Sequence, residues 1–297
     1  MRPPKIAVFL GALLAIAAHS RPDSNAHVTL RRTYRLGETL KYEMTGSNHG
    51  WEYRIDANDV VRQDSAGSLY EEIGWSNLRS NVPITLSPAS LAFRQTLSLT
   101  APKYLTVPDL GRVQPQLIGP ITDLLTFYAD LHLAGQRLDR VGQHIRVPHG
   151  APNSWADGHR VILGQDAIDF DLTLLEADTQ KHTATLLIRH IPPEHPLIRL
   201  PVEWMKTPVA DAPNNWVQVE KTGNRYIAQV GKEIFEVTLK VDTRDGKILS
   251  ADLHNPVVAI LRHCQDAALT QCGPPLSETI LRRVSMQILQ TRPASSH

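Results

Sequence analysis

The chain has 297 residues, 42% of them hydrophobic, and a formal net charge of +1 at neutral pH. This hydrophobic share is ordinary for a folded protein and excludes extensive disorder. The near-zero net charge differs from the excess of basic residues that is typical of proteins that bind nucleic acid or anionic membranes. The length allows one large domain or two smaller ones.

The first twenty residues predict a secretory signal peptide. Arg2 and Lys5 precede an apolar run from Ile6 to Ala18, and small residues then offer cleavage after Ser20 or as late as residue 26. The run is shorter than the roughly 20 residues of a membrane-spanning helix, and no later segment is apolar enough to cross a bilayer. An uncleaved N-terminal anchor is the alternative. We expect an exported chain, periplasmic or extracellular, whose charge falls to −1 when Arg2 and Lys5 are removed.

Strict alternation of apolar and polar residues predicts a β-meander between about residues 33 and 99. Leu40, Tyr42 and Met44 alternate with polar residues, and after a turn the pattern resumes at Trp51. Further strands are expected at 69–78 and 93–99, separated by an irregular stretch, 81–90, rich in Pro and Ser.

The opening of this meander, from Tyr34 to Tyr42 (YRLGETLKY), resembles the first strand of periplasmic half-barrel families related to the lipoprotein carrier LolA. The resemblance covers that strand and the order of the elements. It implies a curved antiparallel sheet wrapped around a helix, with lipid chains bound on the concave face in several of these families. It carries no functional residue over to this chain.

The clearest helix is predicted from Gly119 to Ala134. Apolar side chains recur at helical spacing, Pro120 suits the first turn, and Gly135 follows as a stop. The stripe is wide enough to pack against a sheet, so we interpret the helix as part of the core; a lid over a ligand cavity is the alternative.

A loop from Val147 to Arg160 gathers residue types that often carry function. Trp155, Asp157 and His159 lie in it, and Ser154 with the latter two could supply a nucleophile, base and orienter. No Gly-x-Ser-x-Gly elbow occurs in the chain, and a triad is defined by geometry rather than by adjacency in sequence. The ordinary interpretation is a turn-rich connection.

A central antiparallel hairpin follows this loop. Its strands alternate around Phe170 and Leu172 and around Leu186 and Ile188, with polar residues between them. We predict that Asp169 lies opposite Arg189, because opposite charges would then meet on the solvated face.

No metal ion or cofactor is predicted. The segment His190–His195 matches neither zinc-protease spacing, and its two prolines prevent the helix on which such ligands share a face. Asp166, Asp169 and Asp171 lack the glycine and terminal glutamate of a calcium loop. We therefore interpret Asp169 and Asp171 as part of the solvated face of the hairpin.

The last third of the chain predicts more sheet. Strands are expected around 217–219 and 226–230, and a second hairpin turns at Asp245-Gly246. Asn255-Pro256 is expected to break its second strand, with 257–269 forming a short helix or an edge segment, and a final strand is expected at 284–288.

Three tryptophans stand in turn-rich stretches: Trp155, Trp204 and Trp216. If they converged at one rim of the sheet, they could stack on sugar rings or line an apolar cavity. The ordinary expectation is that each anchors its own loop on the core.

The two cysteines, Cys264 and Cys272, lie close together in a chain that we expect to be exported. Such a pair forms a disulfide in an oxidising compartment. The spacing does not match a Cys-x-x-Cys redox motif, and two thiols make a poor zinc site.

Together these patterns predict a mainly β (α+β) fold, a curved antiparallel sheet or half-barrel with one principal packed helix. We expect a single domain over residues 27–292, with a possible division near 115–140. The favoured function is a binding module for an apolar or lipid-like ligand, with Trp155, Trp204, Trp216, Asp157 and His159 as candidate binding residues. A secreted hydrolase of carbohydrates or esters and a structural envelope protein are the alternatives.

Overall fold

The computed structural model describes residues 27–48, 50–152, 156–157, 160–161, 167–191, 202–210 and 214–289. The fold is mainly β, with one large antiparallel sheet that stays open rather than closing into a barrel. The predicted fold class is therefore confirmed.

The strands and helices are numbered in chain order. The strands are β1 (Thr39–Asn48), β2 (Trp51–Gln63), β3 (Leu69–Ser80), β4 (Arg94–Leu97), β5 (His144–Pro152), β6 (Ala156–Asp157), β7 (Arg160–Val161), β8 (Ala167–Asp178), β9 (Thr183–Ile191), β10 (Trp216–Thr222), β11 (Arg225–Glu233), β12 (Phe235–Asp242), β13 (Ile248–Cys264) and β14 (Leu276–Ile288). The helices are α1 (Pro88–Ala92), α2 (Pro115–Gly135) and α3 (Glu203–Lys206).

The sheet has a trunk and two arms that share strand β13. The trunk runs in the order β4-β3-β2-β1-β14-β13. The first arm continues from β13 through β12, β9 and β8 to β5, and the second continues through β11 and β10 to the two-residue strands β7 and β6. We call the point where the arms separate the fork.

The fork exists because the 17-residue strand β13 changes partners along its length. His254 pairs with Glu236 of β12, whereas Val257 pairs with Glu233 of β11, and Ile234 alone joins those two strands. The prediction that Asn255-Pro256 breaks this strand is wrong, as are both alternatives for 257–269. Pro256 O accepts a hydrogen bond from Ile234 N (3.0 Å), so the side of Pro256 that lacks an N–H faces the fork, where the ladder is already interrupted.

Helix α2 packs on one face of the trunk and first arm, which we call the inner face. It begins four residues earlier than predicted, because Pro115 rather than Pro120 occupies the first turn. Leu117, Ile121 and Leu124 are fully buried against the sheet, and each contributes about 1.5–3 kcal/mol relative to exposure. The predicted core position of the helix is confirmed.

A second, smaller core lies on the opposite face of the second arm. Val217, Val230 and Met205 pack there with the disulfide between Cys264 and Cys272. The side chains of Val217 and Val230 share a face because the residues are paired in β10 and β11. The predicted disulfide is confirmed, and it fixes the turn that leaves β13.

The register of the β8–β9 hairpin differs by two residues from the prediction. Asp171, rather than Asp169, lies opposite Arg189. The cause is a bulge between Leu174 and Glu176 together with a turn that starts later than the sequence suggested. Because the shift is even, the apolar residues stay on the inner face.

The correction changes the surroundings of Asp169. Its side chain is buried, and Oδ2 accepts a hydrogen bond from Arg146 Nη2 at 3.2 Å. The interpretation of Asp169 as a solvated residue is therefore wrong.

A buried charged cluster lies beneath α2 in the trunk. Arg32 Nη2 contacts Glu38 at 2.7 Å and Glu71 at 3.3 Å, and Asp59 lies nearby. Neither carboxylate oxygen of Asp59 has a hydrogen-bond partner among the described residues. Desolvation, followed by the charge of Glu71, raises the pKa of Asp59 well above its ordinary value.

We predict that Asp59→Asn raises the free energy of unfolding at pH 7 by about 1–3 kcal/mol, because it removes a buried carboxyl group without partners. The folded chain holds the Asp59 proton more tightly than the unfolded chain does, so the stability of the natural chain falls as pH rises above the unfolded-state pKa. Urea unfolding of both chains between pH 7 and pH 4 should show that the stability difference between the variant and the natural chain becomes smaller as pH falls. A variant less stable than the natural chain at pH 7 would contradict this account.

Asp56, on the same strand but the opposite face, provides the matched control. Burial alone would raise the pKa of Asp56, but hydrogen bonds from Lys41 and Asn77, both at 2.7 Å, lower it. Asp56→Asn should therefore lower the free energy of unfolding at neutral pH, and this loss should shrink as pH falls towards the lowered pKa.

Removal of the disulfide should also be measurable. The double substitution Cys264→Ser with Cys272→Ser should lower the free energy of unfolding by about 2–3 kcal/mol in the chain-entropy model. Denaturation of the natural chain with and without reductant measures the same quantity. Equal unfolding midpoints for the oxidised natural chain and the double variant would show that the disulfide adds no stability.

Candidate ligand-binding face

The inner face of the sheet continues beyond α2 onto the second arm. Cross-strand pairs place Trp216, Gly231, Ala259 and Glu278 in one row across β10, β11, β13 and β14. Adjacent rows on the same face contain Gln218, Gln229 and Leu261, and Glu233, Val257 and Ile280. We call the surface formed by these three rows the arm face.

The apolar residues of the arm face belong to neither core. Trp216, Leu261 and Ile280 are half-buried, and Val257 and Ala259 are buried, yet none of the five packs in either hydrophobic cluster of the described residues. Polar side chains with flat amide or carboxylate groups lie among them: Gln218, Gln229 and Glu278. The surface therefore combines apolar contact area with hydrogen-bonding groups, as ligand sites do.

The two described tryptophans of the predicted set do not converge. Trp216 lies on the arm face, whereas Trp204 packs in the second core on the opposite face, where its Nε1 donates to Leu269 O (3.2 Å). Trp204 thus anchors the loop closed by the disulfide, which is the ordinary role expected of a loop tryptophan. Trp155 lies outside the described residues.

The predicted loop is described only in part. Asp157 pairs with Arg160 in a two-strand connection, and Arg160 pairs with Glu220 of β10, so Asp157 lies at the outer edge of the second arm. Ser154 and His159 lie outside the described residues. The nucleophile, base and orienter arrangement considered for Ser154, Asp157 and His159 therefore stays a prediction.

A set of charged and polar residues marks the boundary between α2 and the arm face. We call it the fork cluster, and its members are Asp123, Asp130, His190, Glu233, Asn255 and Arg282. Four of them come from strands near the fork, namely β9, β11, β13 and β14, and two come from the face of α2 that packs on the sheet.

The first pair in the fork cluster is Asp123 with Arg282. The guanidinium of Arg282 contacts the Asp123 carboxylate, which is 4% exposed, whereas Arg282 is 22% exposed. Tyr53 OH donates to the other oxygen of Asp123 at 3.5 Å, and its ring reaches across Gly46, where a Cβ would lie 2.3 Å from a ring carbon. Desolvation raises the pKa of Asp123 although Arg282 and Tyr53 oppose it.

The second pair is His190 with Asp130. His190 Nε2 donates to Asp130 Oδ1 at 3.2 Å. The imidazole stacks on Phe235 with a centroid distance of 4.2 Å and meets the edge of Phe170 at 4.6 Å. The ring is therefore fixed on both sides, while Asp130 Oδ2 is buried without a partner among the described residues.

Glu233 lies at the fork itself. Asn255 Nδ2 donates to Glu233 Oε1 at 2.9 Å and to Ile234 O at 2.8 Å, so one amide ties together the ends of both arms. Asn215 binds both the N–H and the C=O of Glu233. Desolvation raises the pKa of Glu233. The hydrogen bond from Asn255 and the charges of Arg282 and His190 act in the opposite direction but do not outweigh it.

Comparisons with known proteins give no family for the chain. No protein-family model matches it, and no curated protein matches it.

Within the described ranges, no group of three or more His, Cys, Asp or Glu side chains has the geometry to hold a metal ion. In the same ranges, no helix has the length and apolar character needed to cross a membrane.

The sequence held partial signals for the fork cluster. Asp123 and Asp130 are seven residues apart on an apolar helix, and Arg282 alternates with the core residues Val284 and Met286. These positions place three charged groups on buried faces. Glu233 and Asn255 carry no such signal, because their proximity depends on the change of partners along β13.

Arg282→Met should leave Asp123 buried without its charge partner and lower the free energy of unfolding by about 3 kcal/mol. Adding Asp123→Asn should restore part of the loss, because the unpaired carboxylate is then absent. Chemical denaturation of both single variants and the double variant gives the coupling energy. Additive effects would show that the pair is not coupled.

Proposed function

We propose that this chain is an exported binding protein for an apolar or lipid-like ligand, and that the ligand lies on the arm face. The observation that carries this proposal is the set of apolar side chains on the arm face that join neither core. Trp216, Leu261 and Ile280 are half-buried, so part of their apolar surface stays exposed, and exposed apolar surface is typical of interaction sites.

The inner face beneath α2 is a poorer place for a ligand. Leu117, Ile121 and Leu124 fill it and are fully buried, so a ligand there would have to displace the helix. An interior site of the kind implied by the LolA resemblance is therefore not the one that we propose.

A cavity near the β8–β9 turn is also a poorer candidate. It has a volume of about 240 Å³ and is lined by His27, Asp178 and His182 together with apolar groups of Val28 and Ala177. Ligand pockets usually measure about 300–1,000 Å³ and are mostly apolar. The cavity suits ordered water better than an acyl chain.

Export is supported by two observations. The N-terminal residues have the charged, apolar and small-residue order of a signal peptide, and the chain forms a disulfide, which persists in oxidising compartments. N-terminal sequencing of the protein from its native host should give a chain that begins at Arg21 or His27.

The binding proposal is tested by native mass spectrometry of protein purified without detergent, followed by organic extraction. A stoichiometric apolar ligand is the expected result. Ile280→Gln should abolish its retention, because it places a polar side chain on the arm face, and circular dichroism checks that the variant folds.

Leu281→Gln is the matched control, because Leu281 is the next residue on β14, points to the opposite face and is 54% exposed. It should retain the ligand. If both variants retained it equally, the ligand would lie elsewhere, and a natural chain that neither retains nor takes up any apolar compound would overturn the proposal.

A further inference from the structure

A row of inner-face residues crosses the sheet beside the arm face. Asn48 pairs with Trp51 on one side and with Arg282 on the other, and Arg282 pairs with Asn255. We call Trp51, Asn48, Arg282 and Asn255 the fork row. It connects β2 of the trunk with Glu233 at the fork through the amide of Asn255.

Hydrogen-bonding groups beside this row are left without partners. Trp51 Nε1, a donor, and Asn48 Oδ1, an acceptor, are both buried and unpaired among the described residues. Buried polar atoms normally have a partner, so these two indicate a bound group or ordered water.

The charges at the fork already compensate one another. Arg282 is paired with Asp123, His190 donates to Asp130, and Glu233 is held by Asn255. A phosphate or carboxylate would have to displace Asp123 from Arg282 and would lie near two further carboxylates. An ammonium group would meet the guanidinium of Arg282. Neither kind of ion is favoured.

An uncharged hydroxyl group fits these atoms better. A hydroxyl group both donates and accepts, so it can accept from the indole N–H of Trp51 and donate to the amide oxygen of Asn48. The side chain of Arg282 is 22% exposed, so solvent reaches the row at this residue. The apolar arm face begins on the same strands, because Ile280 and Val257 each lie two residues beyond Arg282 and Asn255.

We propose that the fork row binds an uncharged, hydroxyl-rich head group, a glycosyl unit, of an amphipathic ligand whose apolar part lies on the arm face. This inference rests on the proposed function and specifies its ligand class. Trp51 Nε1 donates to one sugar hydroxyl, and Asn48 Oδ1 accepts from another.

The test compares three probes with alkyl chains of nearly the same length but different head groups: dodecyl maltoside, dodecylphosphocholine and dodecanoate. Each is titrated into the natural chain below its micelle concentration by isothermal calorimetry. Dodecyl maltoside should bind at least tenfold more tightly than either charged probe.

Two tryptophan variants separate head-group recognition from folding. Trp51→Phe keeps the ring but removes the indole N–H, and it should weaken maltoside binding about fivefold to tenfold. Trp75→Phe is the control, because Trp75 Nε1 is also buried and unpaired, but Trp75 lies on β3, away from the fork. Its maltoside affinity should equal that of the natural chain.

The outcomes distinguish the two proposals. Equal binding of all three probes, lost in Ile280→Gln, would support the arm face and overturn the glycosyl head group. Tighter binding of a charged probe, or unchanged maltoside affinity in Trp51→Phe, would also overturn the head group. No binding of any probe would overturn the proposed function itself.

Discussion

The structure depends on the pairing of one long strand. β13 holds β14 along one edge and two different strands along the other, so the trunk and both arms share its backbone. The side chain of Asn255 closes the gap where the partner changes, by binding Glu233 and Ile234 O. An unpaired backbone at this junction would be costly in a sheet interior, and a short amide side chain satisfies it locally. The position of the fork then decides which part of the inner face one helix can cover.

Helix α2 covers only part of that face, and the composition of the uncovered part follows from its position. Under the helix, apart from the buried charged cluster around Arg32, the inner-face residues are apolar and fully buried, as at Met44, Ile55 and Leu172. At the boundary the residues are charged but paired, because a half-buried charge is tolerated only with a partner. Beyond the boundary, apolar and amide side chains alternate on the arm face. Across the inner face, the apolar core therefore gives way first to paired charges and then to a mixed surface. This order arises because α2 is shorter than the sheet is wide.

Local patterns in the sequence predicted most elements, because each depends on residues close in the chain. Alternation at Leu40, Tyr42 and Met44 placed β1, and the even register shift of the β8–β9 hairpin left Phe170 and Leu172 on the predicted face. The bulge after Leu174 and the course of β13 through Pro256 were missed, since each is decided by a partner strand. Of the candidate binding residues, Trp216 lies on the arm face, but Glu233 and Asn255 become neighbours only through pairing that no local pattern encodes.

The pairing of β1 with β14 has a consequence for how the molecule forms. These strands lie at opposite ends of the chain, with Tyr42 opposite Ile288, and every trunk strand before β1 in the sheet order reaches the rest of the sheet through that contact. The loop closed by the contact spans most of the sequence, so its entropy is lost late and folding is slow. A chain emerging from the ribosome lacks this ladder until β14 has been synthesised. If the chain is exported as we propose, such a delay would keep it unfolded for passage through a translocation channel.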